Sequence, residues 1–232
     1  MSSLDALNKR IIECKECPRL IKYIDNISKR KIKRYKEYQY WGKPLHGFGD
    51  NNARLLIIGL APAAHGGNRT GRMFTGDSSG DWLIKALYQT GFANKDESVD
   101  RYDGLILNDA YITAVVRCAP PQNKPTRDEI MNCSKYLIEE MSLLPNIKII
   151  LTLGSIAFNT FAKLNNLRLK FRHGLEYEFS DKMIIASYHP SRQNTQTRRL
   201  KWDSWISIFL RIRSILDQNG NVISSNSASI VK

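Results

Sequence analysis

The stretch Arg54-Leu-Leu-Ile-Ile-Gly-Leu-Ala-Pro-Ala-Ala-His-Gly-Gly-Asn-Arg-Thr-Gly-Arg-Met-Phe-Thr-Gly-Asp77 decides how this chain folds. It opens on an apolar run with no polar alternation, as a strand buried on both faces requires. A glycine-rich loop follows at once, carrying a histidine, two arginines, a phenylalanine and a terminal aspartate. Three more runs share the character of the first: residues 110–116, 147–153 and 183–187. Helical patterns separate them. One covers 82–91; another covers 128–144 and is opened by the capping box Thr126-x-x-Glu129 behind Pro125. A third spans 155–164. The last, 202–216, sets Trp202, Trp205, Ile206, Phe209, Ile212 and Leu216 along one stripe. Alternating strands and helices predict an α/β fold: a three-layer α/β/α sandwich with a small central parallel sheet.

Working outward, residues 1–217 read as one domain, and the Asn- and Ser-rich residues 218–232 read as a frayed polar tail. No run reaches transmembrane length and no basic-apolar-small leader pattern is seen, so a cytoplasmic protein with no membrane partner is expected. Lys and Arg number 35 against 22 Asp and Glu, a formal charge of +13, which favours a polyanionic partner. The segment Ser28-Lys-Arg-Lys-Ile-Lys-Arg-Tyr-Lys-Glu-Tyr-Gln-Tyr-Trp41 interleaves cations with aromatics. It is either a solvated helix face or a phosphate-contacting surface.

The four cysteines are Cys14 and Cys17, a C-x2-C pair behind a helix over Leu4–Glu13, and the distant Cys118 and Cys133. In a reducing compartment such a set suits zinc or an iron–sulfur cluster; four unrelated buried thiols are the alternative. Pro18 is expected to block smooth continuation of the first helix.

Ligands of open parallel sheets gather at the carboxyl ends of the strands. Three loops leave those ends: 59–77, 117–125 and 188–199. The glycines of the first have the spacing of a nucleotide-binding P-loop. Arg72 and Met73 stand where lysine and a hydroxyl residue belong, and methionine cannot replace the hydroxyl on Mg²⁺. The glycines instead suit close approach of backbone amides to a phosphodiester. Phe74 is either a core plug or a stacking platform for a flat ligand. Asp77 is either a helix N-cap or a functional carboxylate. His189 precedes Pro190, which favours an extended backbone and aims the ring off the sheet end.

At these loops the sequence resembles the uracil-DNA glycosylase superfamily, and its family-5 (type b) branch most closely, over residues 10–215. Residues 59–77 look like the first motif of that branch almost throughout; Val116-Arg-Cys-Ala-Pro-Pro121 and His189-Pro-Ser191 look like its middle and last motifs. The resemblance implies that Cys14, Cys17, Cys118 and Cys133 hold a 4Fe–4S cluster rather than zinc. It implies excision of uracil from DNA, with hypoxanthine and xanthine as further substrates. It assigns His189, Asp77 and Asn123 to catalysis, and Phe74, Ala61, Ala63, Gly66, Gly67, Arg192 and Asn194 to substrate contact. His189 would donate to O2 of the leaving base, Phe74 would stack on the flipped ring, and Asp77 and Asn123 would orient water or base. Other branches place a polar residue near Ala63 to position the attacking water and an asparagine near Ala114 to read uracil; both are alanine here. The chain departs from its relatives at Arg192-Gln193-Asn194, where they often carry proline.

No lysine lies inside the three motifs, so a monofunctional enzyme that leaves an abasic site is expected. A nucleoid-associated monomer is expected, with replication or repair proteins as candidate partners. A non-catalytic iron–sulfur or zinc nucleic-acid-binding module is the competing reading, and hydrolysis of free nucleosides a third.

Overall fold

Each apolar run becomes a strand because both sides of its pleat are covered. In the computed structural model, which describes residues 3–226 and side chains through residue 218, the runs form β2 (Leu55–Gly59), β3 (Ala110–Ala114), β4 (Ile149–Leu153) and β6 (Lys182–Ser187). All four are parallel, and Ile57 lies between Ile112 of β3 and Leu151 of β4. Alternate residues part to two cores. Leu55, Ile57, Ile112, Leu151 and Ile185 pack on α4 (Ser78–Gln89) and α8 (Trp202–Asn226). Leu56, Ile58, Ile150, Ile184 and Ala186 pack on α1 (Leu4–Glu13), α2 (Pro18–Arg30), α5 (Arg127–Ser142) and α6 (Ser155–Leu164). The result is the expected three-layer sandwich. Each large apolar side chain buried this way contributes about 1.5–3 kcal/mol.

The sheet is mixed rather than wholly parallel. Its order is β1-β3-β2-β4-β6-β5, with β1 (Phe48–Gly49) and β5 (Glu176–Phe179) as antiparallel edges. β1 is too short to leave a pattern. β5 alternates exposed Glu with half-buried Tyr and Phe, as a one-sided edge strand does, and joins β6 through a tight turn with Ser180 at φ 56°.

Three helix limits differ from expectation. Pro18 does not merely stop the first helix; it sits in the first turn of α2, where its missing N–H costs nothing. α4 starts at Ser78 rather than Trp82, because Asp77 caps it. α8 runs on through Asn226, since Asn, Ser and one Gly weaken a helix without a proline to break it. Residues 227–232 of the expected tail lie outside the described residues. The capping box of α5 is present, with Thr126 and Glu129 each bonded to the other's backbone.

Behind β3, Arg117 and Glu140 form a buried ion pair at 2.6 Å. Tyr111 and Thr113 also donate to the Glu140 carboxylate. Among the described residues no helix is long and apolar enough to cross a membrane.

Candidate active site

The carboxyl ends of β2, β3 and β6 open onto one cavity of about 210 Å³. The loop after β2 contributes Ala61, Ala63, Phe74 and Asp77; the end of β3 and its loop contribute Ala114 and Asn123; the loop after β6 contributes His189 and Ser191. That volume is below the range of drug-sized pockets and suits a single small ring. All three proposed catalytic side chains and Phe74 therefore meet in one place.

Local backbone explains how. Phe74 holds a left-handed φ of 49°, an unfavourable state for an aromatic residue that surrounding contacts must enforce. A Cβ on Gly59 would stand 2.9 Å from the Phe74 ring, and one on Gly80 would stand 2.2 Å from its carbonyl oxygen. Only glycine fits at either point. The ring then stacks on His189, with centroids 5.9 Å apart and planes 29° from parallel. Asn123 is delivered by two successive left-handed residues, Gln122 (φ 55°) and Asn123 (φ 57°), between Pro121 and Pro125.

Asp77 has two roles on two oxygens. Oδ1 accepts from the N–H groups of Ser79 and Gly80, both at 3.0 Å, and so caps α4. Oδ2 occupies the space a side chain at Gly66 would need, 2.0 Å from the position of its Cβ. Burial raises the carboxyl above its usual range, opposed by the two amides and the Arg69 charge.

Burial alone pushes the His189 imidazole down to about 4. The ring is neutral at physiological pH, and among the described residues its nitrogens have no hydrogen-bond partner. Its backbone is braced: the His189 carbonyl accepts from Asn194 Nδ2 at 2.8 Å. The preceding Tyr188 N–H donates to His173 Nδ1 at 3.2 Å, and the two rings stack within 6° of parallel.

Four residues expected to contact substrate do not line this cavity. Gly66 lies beneath Asp77, and Gly67 opens the short helix α3 (Gly67–Thr70) against Pro62. Asn194, in α7 (Arg192–Gln196), braces His189 from behind. Arg192 is exposed at the rim, its Nε donating to Ser78 Oγ at 3.2 Å. Their motif is legible in the sequence; which way they face is not.

Arg69 is an organiser that sequence reasoning misses. Its Nε donates to the His65 carbonyl at 2.8 Å and its Nη2 to the Gly76 carbonyl at 3.1 Å, tying the loop's two ends together. Its guanidinium lies 4.1 Å from the Tyr35 ring centroid and 4.5 Å from that of Tyr38. The basic-aromatic segment thus folds onto the loop, with Trp41 N–H and Gly42 N–H donating to the carbonyls of Arg69 and Asn68. Arginines spaced among glycines are the signal that could have found it. Arg72 turns inward to Asp103 at 2.7 Å. Burial would raise the Asp103 carboxyl, but Arg72 and the amides of Leu105 and Val99 hold it down at about 2. Arg72 is thus engaged within the fold, paired with Asp103.

The four cysteines line one small cavity between α2, β3 and α5, together with Leu20, Ile21, Pro44, Val116 and Tyr136. Burial raises the thiols of Cys17, Cys118 and Cys133, the last to about 11. The Arg117 N–H donates to Cys133 Sγ at 3.3 Å, and Asn132 Nδ2 to Cys17 Sγ at 3.9 Å. Among the described residues no three His, Cys, Asp or Glu side chains are grouped closely enough to hold one metal ion.

The family model of the uracil DNA glycosylase superfamily matches residues 46–209. The chain is 42% identical over 208 residues to the type-5 uracil-DNA glycosylase of Pyrobaculum aerophilum, covering 89% of this chain and 91% of that one. It is 41% identical to the type-5 enzyme of Thermus thermophilus, covering 91% of this chain and 97% of the other. With the type-5 enzyme of Mycobacterium leprae the identity is 43%, over 85% of this chain and 89% of that one. A family model matching most of the chain, together with identities above 40% over most of its length to three type-5 enzymes, shows that the chain belongs to the uracil DNA glycosylase superfamily, within its type-5 branch.

Proposed function

We propose that the protein removes uracil from DNA by hydrolysis of the bond between C1′ and the base, leaving an abasic site. The observation that carries this reading is the juxtaposition of the neutral His189 ring, its nitrogens unpartnered among the described residues, with Phe74, Asp77 and Asn123 around one small cavity. A base reaches such a cavity only by leaving the duplex, at a cost of a few kcal/mol that is least at a mispair.

Bond breaking leaves positive charge on the sugar and negative charge on the base. His189 serves the anion: as a neutral imidazole it donates an N–H to O2 of the departing ring, an interaction typically contributing about 3–4 kcal/mol to the rate. Phe74 stacks on the flipped base. Ala63 offers no group to position water, so Asp77 Oδ2 and Asn123 take that task and Asp77 also faces the sugar's charge. Among the described residues no lysine lines the cavity, consistent with a monofunctional reaction without a Schiff base. Ala114 offers no side-chain amide to read the base edge, so deaminated purines such as hypoxanthine and xanthine are admitted as well.

Cys14, Cys17, Cys118 and Cys133 would hold a 4Fe–4S cluster. What supports this reading is that the four thiols wall one small cavity and that two of them accept N–H bonds, as cluster-ligating sulfurs do. The cluster would supply a structural tie between α1–α2 and α5. The protein acts as a monomer on DNA in the nucleoid, alongside replication or repair proteins.

The deciding experiment incubates the protein with a uracil-containing duplex and then with alkali. Strand scission after alkali, and none before it, is expected. Retardation of the duplex without scission would mean a binding module, and turnover of free deoxyuridine would mean a nucleoside hydrolase.

A further inference from the structure

A second groove, of about 670 Å³, runs beside the catalytic loop. Its walls come from the basic-aromatic segment (Tyr38, Trp41, Lys43), from α3 (Arg69) and from an excursion before β3 (Arg101, Tyr102). Arg101 stands between two rings, 4.3 Å from the Trp41 centroid and 4.8 Å from that of Tyr102. Among the described residues its guanidinium donates no hydrogen bond to the protein. It is a cation oriented by stacking, with its full set of donors free. Tyr102 is 81% exposed, a large ring left in water beside a cationic wall. The carboxylates of Glu37 and Asp100 also line the groove, and Asp100 is engaged by the Tyr102 N–H at 2.6 Å. Lys33, Arg34 and Lys36 flank the same segment.

The groove abuts the loop that frames the active site. A Cβ on Gly71 would lie 3.1 Å from Arg101 Nη1 and 3.2 Å from the Trp41 ring, and Gly71 is in the loop that carries Phe74 and Asp77. Stacking faces beside fixed guanidinium donors are what an unpaired strand needs, a π-surface for each base and a charge for each phosphate. We propose that this groove binds a single-stranded stretch of the DNA flanking the lesion, with a base against Tyr102 and a phosphate on Arg101 and Lys43. The proposal rests on the reading that the protein works on DNA, and it adds a preference for substrates with an unpaired flank.

The test measures binding of the full chain to a fluorescent, uracil-free oligothymidylate. Tyr102→Ala is expected to weaken binding about tenfold, while Tyr102→Phe, which keeps the ring, restores it. Arg101→Ala is expected to weaken it similarly and to reduce the slope of log affinity against log salt by about 0.7, the value for one phosphate of a single strand. Tyr88→Ala, on the exposed side of α4, serves as the control and should bind like wild type. Binding unaffected by Tyr102→Ala and Arg101→Ala overturns the proposal, as does a Tyr102→Phe variant as weak as the alanine one. Thymidine monophosphate competing as well as the oligomer would make the groove a mononucleotide pocket and likewise overturn it. A protein that binds the oligomer through this groove yet releases no uracil from any DNA leaves the groove standing and removes the proposed activity.

Discussion

In the proposed reaction His189 acts as a neutral group. Its imidazole is pushed from 6.5 to about 4 by burial, so the folded state resists protonation where the unfolded chain accepts it. The unfolded state therefore binds more protons between those values, and stability falls as pH drops from 6.5 to about 4. This one group accounts for about 3 kcal/mol of that loss, and His189→Ala should remove it from the pH profile of thermal unfolding. Uracil release by the wild type should show no inflection near 6.5, since a neutral donor stays neutral through that range. The same variant should lose about 10²-fold or more in release rate while still binding DNA. Asp77 permits a cleaner separation. Asp77→Asn keeps an oxygen for the Ser79 and Gly80 amides, so melting should change little, whereas Asp77→Ala should lose about 1 kcal/mol of capping. Both should lose uracil release; an active Asn variant would reduce Asp77 to a cap. His189 was legible because a strand–His–Pro sequence states its own geometry. The left-handed Phe74 and the division of labour between the Asp77 oxygens were not, because both depend on glycines distant in sequence.

Among the elements, the loop after β2 is held at both ends by Arg69 and closed by the fit of Asp77 over Gly66. Gly66→Ala should displace the carboxylate and lower uracil release with little change in DNA binding. A wild-type rate in that variant would show that the Oδ2 position is immaterial. The segment carrying Lys33, Arg34 and Lys36 packs on this loop through its tyrosines, with the lysines left outward. Replacing all three cations with glutamine should flatten the salt dependence of DNA binding, by about 0.9 in the log–log slope for each phosphate no longer neutralised. An unchanged slope would make them bystanders. The central strands were legible because no other element is apolar on both faces over five residues. The segment 28–41 was not resolved by its composition: α2 ends at Arg30, and the chain beyond it makes a single turn, Lys33–Tyr35, before running irregularly. Its conformation is dictated by the arginine it covers, which no local pattern reveals.

At the scale of the molecule, the cysteine-lined cavity joins α1 and α2, near the start of the chain, to β3 and α5 in the middle. Cys133→Ser should expose the N-terminal helices to protease and lower the melting temperature and, on the proposed 4Fe–4S cluster, remove visible absorbance from the purified protein. A colourless wild type containing zinc would contradict the cluster. The ion pair behind β3 is a separate fastening: Arg117 and Glu140 are both buried, and removing one charge should cost about 3–5 kcal/mol. That pair could not be read from sequence, since its partners are far apart along the chain and neither residue type signals burial. The alanines at 63 and 114 act on this scale too. With methyl groups where a polar edge reader could stand, the proposed reaction would leave discrimination to the double helix. Bases would be ranked by how weakly their opposite neighbour holds them, so a damaged base in a wobble pair should be taken before the same base in a well-matched one.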